Sequence, residues 1–158
     1  MSAPVFVPGV ARDGVQVVPL PGVPGEVLAQ GVDARVAGVS RILAGRPLEP
    51  WSGAIVSAAG RYPATDALMV AAISVWESGG GEHVCGFNAW GWGSCLGDNF
   101  GSWEEGIERV ARALSEAPYA GLDARGKLCM WQSGDGGCGT EEGSAYAARV
   151  MATMEVGR

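Results

Sequence analysis

Glu77 stands at the carboxyl end of an apolar run, Ala67-Leu68-Met69-Val70-Ala71-Ala72-Ile73-Ser74-Val75-Trp76, and is the first charged side chain after Asp66. A run that is apolar on every face predicts a buried helix over about 65–77. A carboxyl at its end meets partial desolvation and the negative end of the helix dipole, and both disfavour the anion. That is the setting of a general acid that works near neutral pH. Trp76 on one side and the glycines that follow on the other could complete an apolar wall. Position alone also fits a residue that is simply the first solvated one after a core helix.

The stretch 78–101 is rich in glycine and aromatics, and within it Asn88-Ala89-Trp90-Gly91-Trp92-Gly93 alternates indoles with residues that have little or no side chain. Flat aromatic faces beside open backbone suit sugar rings, which offer C–H faces for stacking and polar groups for backbone hydrogen bonds. The competing reading is that these tryptophans pack the loop onto the core.

Other chemistries fit less well. A Cys/His nucleophile would pair His83, the single histidine, with Cys85, Cys129 or Cys138. Such a thiolate needs a helix N-terminus or a cationic neighbour, which these Gly-rich surroundings do not offer. Zinc sites bring ligands in close C-x2-C or H-x3-H pairs, and none is present, so no metal is expected. Asp135 among glycines lacks the Asp ladder of a calcium loop. The cysteines form two local pairs, C-x9-C and C-x8-C, and the favoured connectivity is Cys85–Cys95 and Cys129–Cys138, each closing a Gly-rich loop. Disulfides imply an oxidising destination.

The elements that must position these residues are helical. Leu28, Val32, Val36, Val39 and Leu43 have the spacing of an amphipathic helix over 26–44, weakened by Gly31 and Gly38 and stopped by Gly45 and Pro47. A short helix over 51–59 places Trp51, Ile55 and Ala59 on one stripe. Thr65 or Asp66 caps the apolar helix and Gly79-Gly80-Gly81 ends it. Ser102-Trp103-Glu104-Glu105 is a capping box in which Ser102 and Glu105 bond each other's backbone amides. The helix it opens buries Trp103, Ile107, Val110, Ala111 and Leu114, pairs Glu105 with Arg109 and Glu108 with Arg112, and closes at Pro118. Leu128-Cys129-Met130-Trp131 is a short apolar piece. A last helix over 141–155, capped by Thr140, buries Ala147, Val150, Met151 and Met154. No run shows clear period-2 alternation, so the expected class is mostly α, with at most a small hairpin.

Composition agrees with one domain. A chain of 158 residues with 47% apolar and 18% charged types can bury a core. Glycine, at 26 residues, makes much of the surface loop. The net charge of −6 argues against nucleic acid as a partner. No stretch is long and apolar enough to cross a membrane. The first residues show neither a basic segment nor a long apolar one, so no signal peptide is expected. Pro4, Pro8, Pro19, Pro21 and Pro24 make residues 1–25 an extended arm, either a loose terminus or a docking segment.

Three segments together resemble a family. Ala71-Ala72-Ile73-Ser74-Val75-Trp76-Glu77-Ser78-Gly79-Gly80-Gly81, then Asn88 to Gly93, then Phe100-Gly101-Ser102-Trp103-Glu104-Glu105-Gly106-Ile107 resemble bacterial and phage peptidoglycan glycosidases of the lysozyme-like superfamily, in the glucosaminidase-type and goose-lysozyme/lytic-transglycosylase branches. The similarity spans about 63–154 and is closest over 68–114. It implies a compact lysozyme-like helical domain over 61–158; the accessory helices over 26–60 and the arm before them have no counterpart in the family. It makes Glu77 the catalytic acid, with Ser78, Asn88, Trp90 and Trp92 along a glycan cleft and Tyr119 and Tyr146 as further candidates.

The reaction so implied cleaves the β-1,4 backbone between N-acetylmuramic acid and N-acetylglucosamine, with no cofactor. A retaining enzyme needs a second carboxylate about 5 Å away and an inverting one about 6.5–9.5 Å away. Glu82 and Asp98 are the candidates. A third route needs none, because the substrate's own 6-hydroxyl attacks to give an anhydro product. Disulfides without a signal peptide point to an extracytoplasmic protein, carried on a virion or phage tail through the arm or released on lysis. The alternative is a non-catalytic glycan-binding or structural virion protein that keeps the fold.

Overall fold

Asp66 starts the central helix: its backbone is extended and its Oδ1 accepts from the Leu68 amide at 2.8 Å. The Thr65 hydroxyl serves elsewhere, donating to the Ala111 carbonyl at 2.7 Å. The helix, α3, runs Ala67–Ser78, and Gly79 in the left-handed conformation ends it. Its residues Met69, Val70, Ala71, Ala72, Ile73 and Ser74 are buried in unbroken succession. That requires neighbours on all sides, as the all-round apolar sequence demands.

The computed structural model describes residues 25–93 and 99–158. In chain order its elements are α1 (Gly25–Leu43), a 3-10 turn (Glu49–Trp51), α2 (Ser52–Arg61), α3, α4 (Trp103–Ala113), α5 (Ala124–Ser133) and α6 (Glu141–Gly157). The chain is mostly α. Among the described residues there is no hairpin, only an isolated antiparallel bridge between Cys85 and Asn88. The arm expected over 1–25 lies outside the described residues apart from Gly25. No described helix is long and apolar enough to cross a membrane.

Helices α1, α2, α4 and α6 all pack against α3, and α5 packs against α6. One core runs from Val39 in α1 to Met154 in α6. Of the stripe of α1, Val36, Val39 and Leu43 engage it and Val32 stays exposed, while the side chain of Leu28 lies outside those described. Gly38, which weakens α1 as an isolated helix, has a packing reason. A Cβ there would collide with the Gly157 carbonyl, so the glycine lets the end of α6 lie directly on α1.

The start of α4 departs from the expected capping box by one residue. Ser102 Oγ accepts from the Glu105 amide, but Glu105 Oε2 accepts from the Gly101 amide at 2.8 Å. The expected i,i+4 pairs do not form. Glu108 instead pairs with Arg61 and accepts from the Tyr62 hydroxyl at 2.7 Å. Arg112 pairs with Glu116 at 2.9 Å. The helix itself ends at Ala113, short of Pro118.

The sequence reading leaves α5 as a short apolar piece, whereas it is a full helix capped by Asp123 and stopped by Gly134. It buries Lys127, the single lysine, whose Nζ donates to the carbonyls of Leu114 and Ala64 and so ties α5 to the end of α4 and the start of α3. The Cys129–Cys138 disulfide, with a Cα–Cα distance of 5.1 Å, fastens α5 to the segment that leads into α6. Thr140 caps α6, accepting from the Gly143 amide. Tyr146, Ala147, Val150 and Met154 face inward, and Met151 is half-buried.

Candidate active site

Glu77 is the penultimate residue of α3 and is half-buried. The Tyr146 hydroxyl, from α6, donates to its Oε1 at 2.6 Å. Tyr146 is itself 5% exposed, and burial holds its phenol well above the ordinary tyrosine range, with the hydrogen bond to Glu77 and the charge of Glu77 adding to the effect. It therefore remains a donor over any physiological pH. On the other side the backbone turns at Gly91, with φ of 64°. A Cβ on Gly91 would lie 2.8 Å from Glu77 Oε2, so only glycine lets the loop approach the carboxyl this closely. The acid is thus held between a phenol and a stretch of bare backbone.

The residues expected to line a cleft divide into those that build the site and those that face out of it. Ser78 is buried. Its hydroxyl oxygen accepts from the Gly81 amide, and its single proton is shared between the Ala89 and Ser74 carbonyls, at 2.9 and 3.0 Å, which clamps the loop onto the end of α3. Asn88 is also buried. Its Oδ1 accepts from the amides of Trp90 and Trp92 and its Nδ2 donates to the Trp92 carbonyl, folding 88–92 into the turn that carries Gly91. Trp90 is wholly buried, and its Nε1 donates to the Val70 carbonyl of α3 at 2.9 Å. A Cβ on Gly106 would meet its ring at 2.9 Å, so the indole fills the space between α3 and α4. These three are corrections to the cleft expected from sequence: they hold the loop in place and have no free surface for a glycan.

Trp92 differs. It is half-buried and packs against Trp131 of α5 with ring centroids 5.6 Å apart; Trp131 in turn packs against Tyr119 at 6.0 Å. Trp92 and Tyr119 line an open groove of about 590 Å³ with Arg109, Arg112 and Glu116. Trp131 is missing from the sequence reading, and so is Gly91 as a site residue. The one signal for Trp131 is its place in an apolar piece flanked by turn residues.

The remaining candidates lie apart. Glu82 is exposed, with its carboxylate folded against Gly79. Asp98 lies outside the described residues. Trp76 forms no wall over Glu77: it is 45% exposed, donates to Thr153 Oγ1 at 2.9 Å and has the Arg149 guanidinium over its ring. Cys85 is disulfide-bonded, as are Cys129 and Cys138, while Cys95 lies outside the described residues. No thiolate nucleophile is therefore at hand among the described residues. A second cavity, of about 900 Å³, opens beside Asp66, Ala67 and Leu68 at the opposite end of α3 from Glu77. It has neither an aromatic face nor a carboxyl held as Glu77 is.

In comparisons with known proteins, the chain matches no family model, no curated protein and no solved structure.

Proposed function

We propose that the chain is a peptidoglycan glycosidase with a lysozyme-like helical domain and Glu77 as its general acid. The observation that carries this reading is the clamped carboxyl: Tyr146 on Oε1, the Gly91 backbone against Oε2, and an aromatic groove that begins at the next residue, Trp92. The order of the Glu77-Ser78, Asn88–Gly93 and Ser102–Ile107 segments supports it as well. In the reaction, Glu77 gives its proton to the glycosidic oxygen as the C1–O bond breaks. The electron-poor C1 is then attacked either by water or by the substrate's own 6-hydroxyl, and the attacking oxygen returns a proton to Glu77. The water route calls on a second carboxylate, for which Glu82, with its carboxylate against Gly79, and Asp98, outside the described residues, are the candidates; the 6-hydroxyl route needs neither. A disulfide-bonded chain suits an extracytoplasmic setting, on a virion or after lysis, with residues 1–25 as the docking arm.

The test is turbidity clearing of purified cell walls by the wild type and by Glu77→Gln. The reading expects clearing by the wild type alone, with anhydro ends on the released muropeptides if the 6-hydroxyl attacks. Equal clearing by both removes Glu77 as the acid. Wall binding without clearing by either makes the chain a non-catalytic glycan-binding module.

A further inference from the structure

We propose that the groove between Trp92 and Tyr119 is a carboxylate-binding subsite in which Arg109 pairs with the peptide stem of the glycan. This rests on the glycosidase reading and names the part of the substrate that the groove recognises.

Charges on α4 do not meet as their spacing suggests. Spacing on α4 would give Arg109 to Glu105, but Glu105 is bonded to the Gly101 amide. The one carboxylate among the groove's described lining residues, Glu116, is bonded to Arg112. Arg109 is exposed and has no hydrogen-bond or ion-pair partner among the described residues. Two guanidiniums against one carboxylate leave the groove a surplus positive charge, on a chain whose net charge is −6.

A guanidinium beside aromatic faces is suited to a ligand with a flat apolar part and a carboxylate, which it can bind through two parallel N–H bonds. A glycan of N-acetylated sugars alone carries no charge for Arg109 to meet. The peptide stem on the lactyl group of N-acetylmuramic acid ends in free carboxylates. Proximity to the acid supports the assignment, because Trp92 lines the groove and directly follows Gly91, where an added Cβ would lie 2.8 Å from Glu77 Oε2. A glycan with a sugar at Glu77 would present its stem to the next stretch of surface.

The experiment measures binding of the full chain to two soluble probes, by quenching of tryptophan fluorescence. One is a muropeptide oligomer that carries its stems, and the other is the same glycan stripped of stems by an amidase and with the lactyl carboxylates so freed converted to methyl amides, which leaves it uncharged. The wild type is expected to bind the stemmed probe about tenfold more tightly, with the preference shrinking as salt rises. Arg109→Gln is expected to abolish that preference and leave affinity for the stripped glycan unchanged, and Arg109→Lys to restore part of it. An unchanged melting temperature shows that the variants fold. The proposal is overturned if Arg109→Gln keeps the preference or weakens both probes equally. Binding of the stripped glycan with no stem preference in the wild type sinks the subsite alone. Binding of neither probe sinks the subsite together with the glycosidase reading.

Discussion

The Tyr146 hydroxyl donates to Oε1 of Glu77 at 2.6 Å, across a contact between α6 and α3 that joins residues 69 positions apart. The bond fixes which carboxyl oxygen faces the protein interior. Oε1 is thereby held on the α6 side and Oε2 on the side of Gly91. Tyr146→Phe removes the donor and lets the carboxyl turn. Clearing should fall roughly tenfold in kcat with little change in KM, the mark of lost positioning. A variant that clears walls at the wild-type rate would show that the phenol is only packing.

The same tyrosine sets an alkaline limit on stability. Burial raises its pKa in the folded protein, while in the unfolded chain it titrates near 10. Below about pH 10 both states keep the proton and the contribution is fully present. Above it the unfolded chain releases a proton that the folded chain retains, so stability falls by about 1.4 kcal/mol per pH unit. Urea midpoints measured from about pH 9 to about pH 11 should show this slope, reduced in Tyr146→Phe. Tyr119, also raised by burial, keeps the slope from vanishing. Identical slopes in the two proteins would contradict the buried phenol.

Gly91→Ala tests the close approach of the loop. It combines left-handed backbone strain with a methyl group 2.8 Å from Glu77 Oε2. Gly121→Ala carries similar strain, at φ of 81°, with nothing within 4 Å of the added methyl. Each should lose about 1–2 kcal/mol of stability. Only Gly91→Ala should also lose most of its clearing activity at a temperature where both are folded. Equal activity in the two variants would mean that the loop does not constrain the acid.

How far these features can be read from sequence depends on the range of the interaction. The ends of α3 and α6 are legible because their caps, Asp66, Gly79 and Thr140, act within a few residues. Helix α5 is hidden because glycines surround it and its apolar piece is short, although Asp123 and Gly134 mark its ends. The Glu105–Arg109 pair fails because an exposed ion pair is worth only a few tenths of a kcal/mol, and an unpaired Gly101 amide at the helix start competes for the same carboxylate. Glu77 stands out by position, but its contact with Tyr146 depends on the packing of α6 against α3. Nothing in the Trp90-Gly91-Trp92 pattern says which indole turns inward.

That division between the two indoles is testable. Trp90 is wholly buried and hydrogen-bonded to Val70, so Trp90→Ala should cost about 3–5 kcal/mol and show as loss of fold. Trp92 lies in the groove, so Trp92→Ala should change the melting temperature far less while weakening glycan binding by about tenfold or more. Thermal melts paired with wall-binding isotherms separate the two. Loss of binding in a fully folded Trp90→Ala protein would overturn the assignment.

The Cys129–Cys138 disulfide joins α5, which carries Trp131, to the segment that leads into α6, which carries Tyr146. Its sequence separation is 9, and a loop of that size is worth about 2–3 kcal/mol on the chain-entropy account. Opening it should therefore lower the unfolding free energy read from a urea titration by that amount, whereas a reductant also opens the bridge at Cys85. Because both attached helices carry site residues, glycan binding and clearing should weaken at temperatures where far-ultraviolet circular dichroism still reports a folded chain. A Cys129→Ala/Cys138→Ala variant should reproduce the effect without reductant. Non-reducing mass analysis of protein purified under oxidising conditions should find these two thiols blocked. Finding both free and reactive, in a protein of unaltered stability, would remove the bridge from the account of the site.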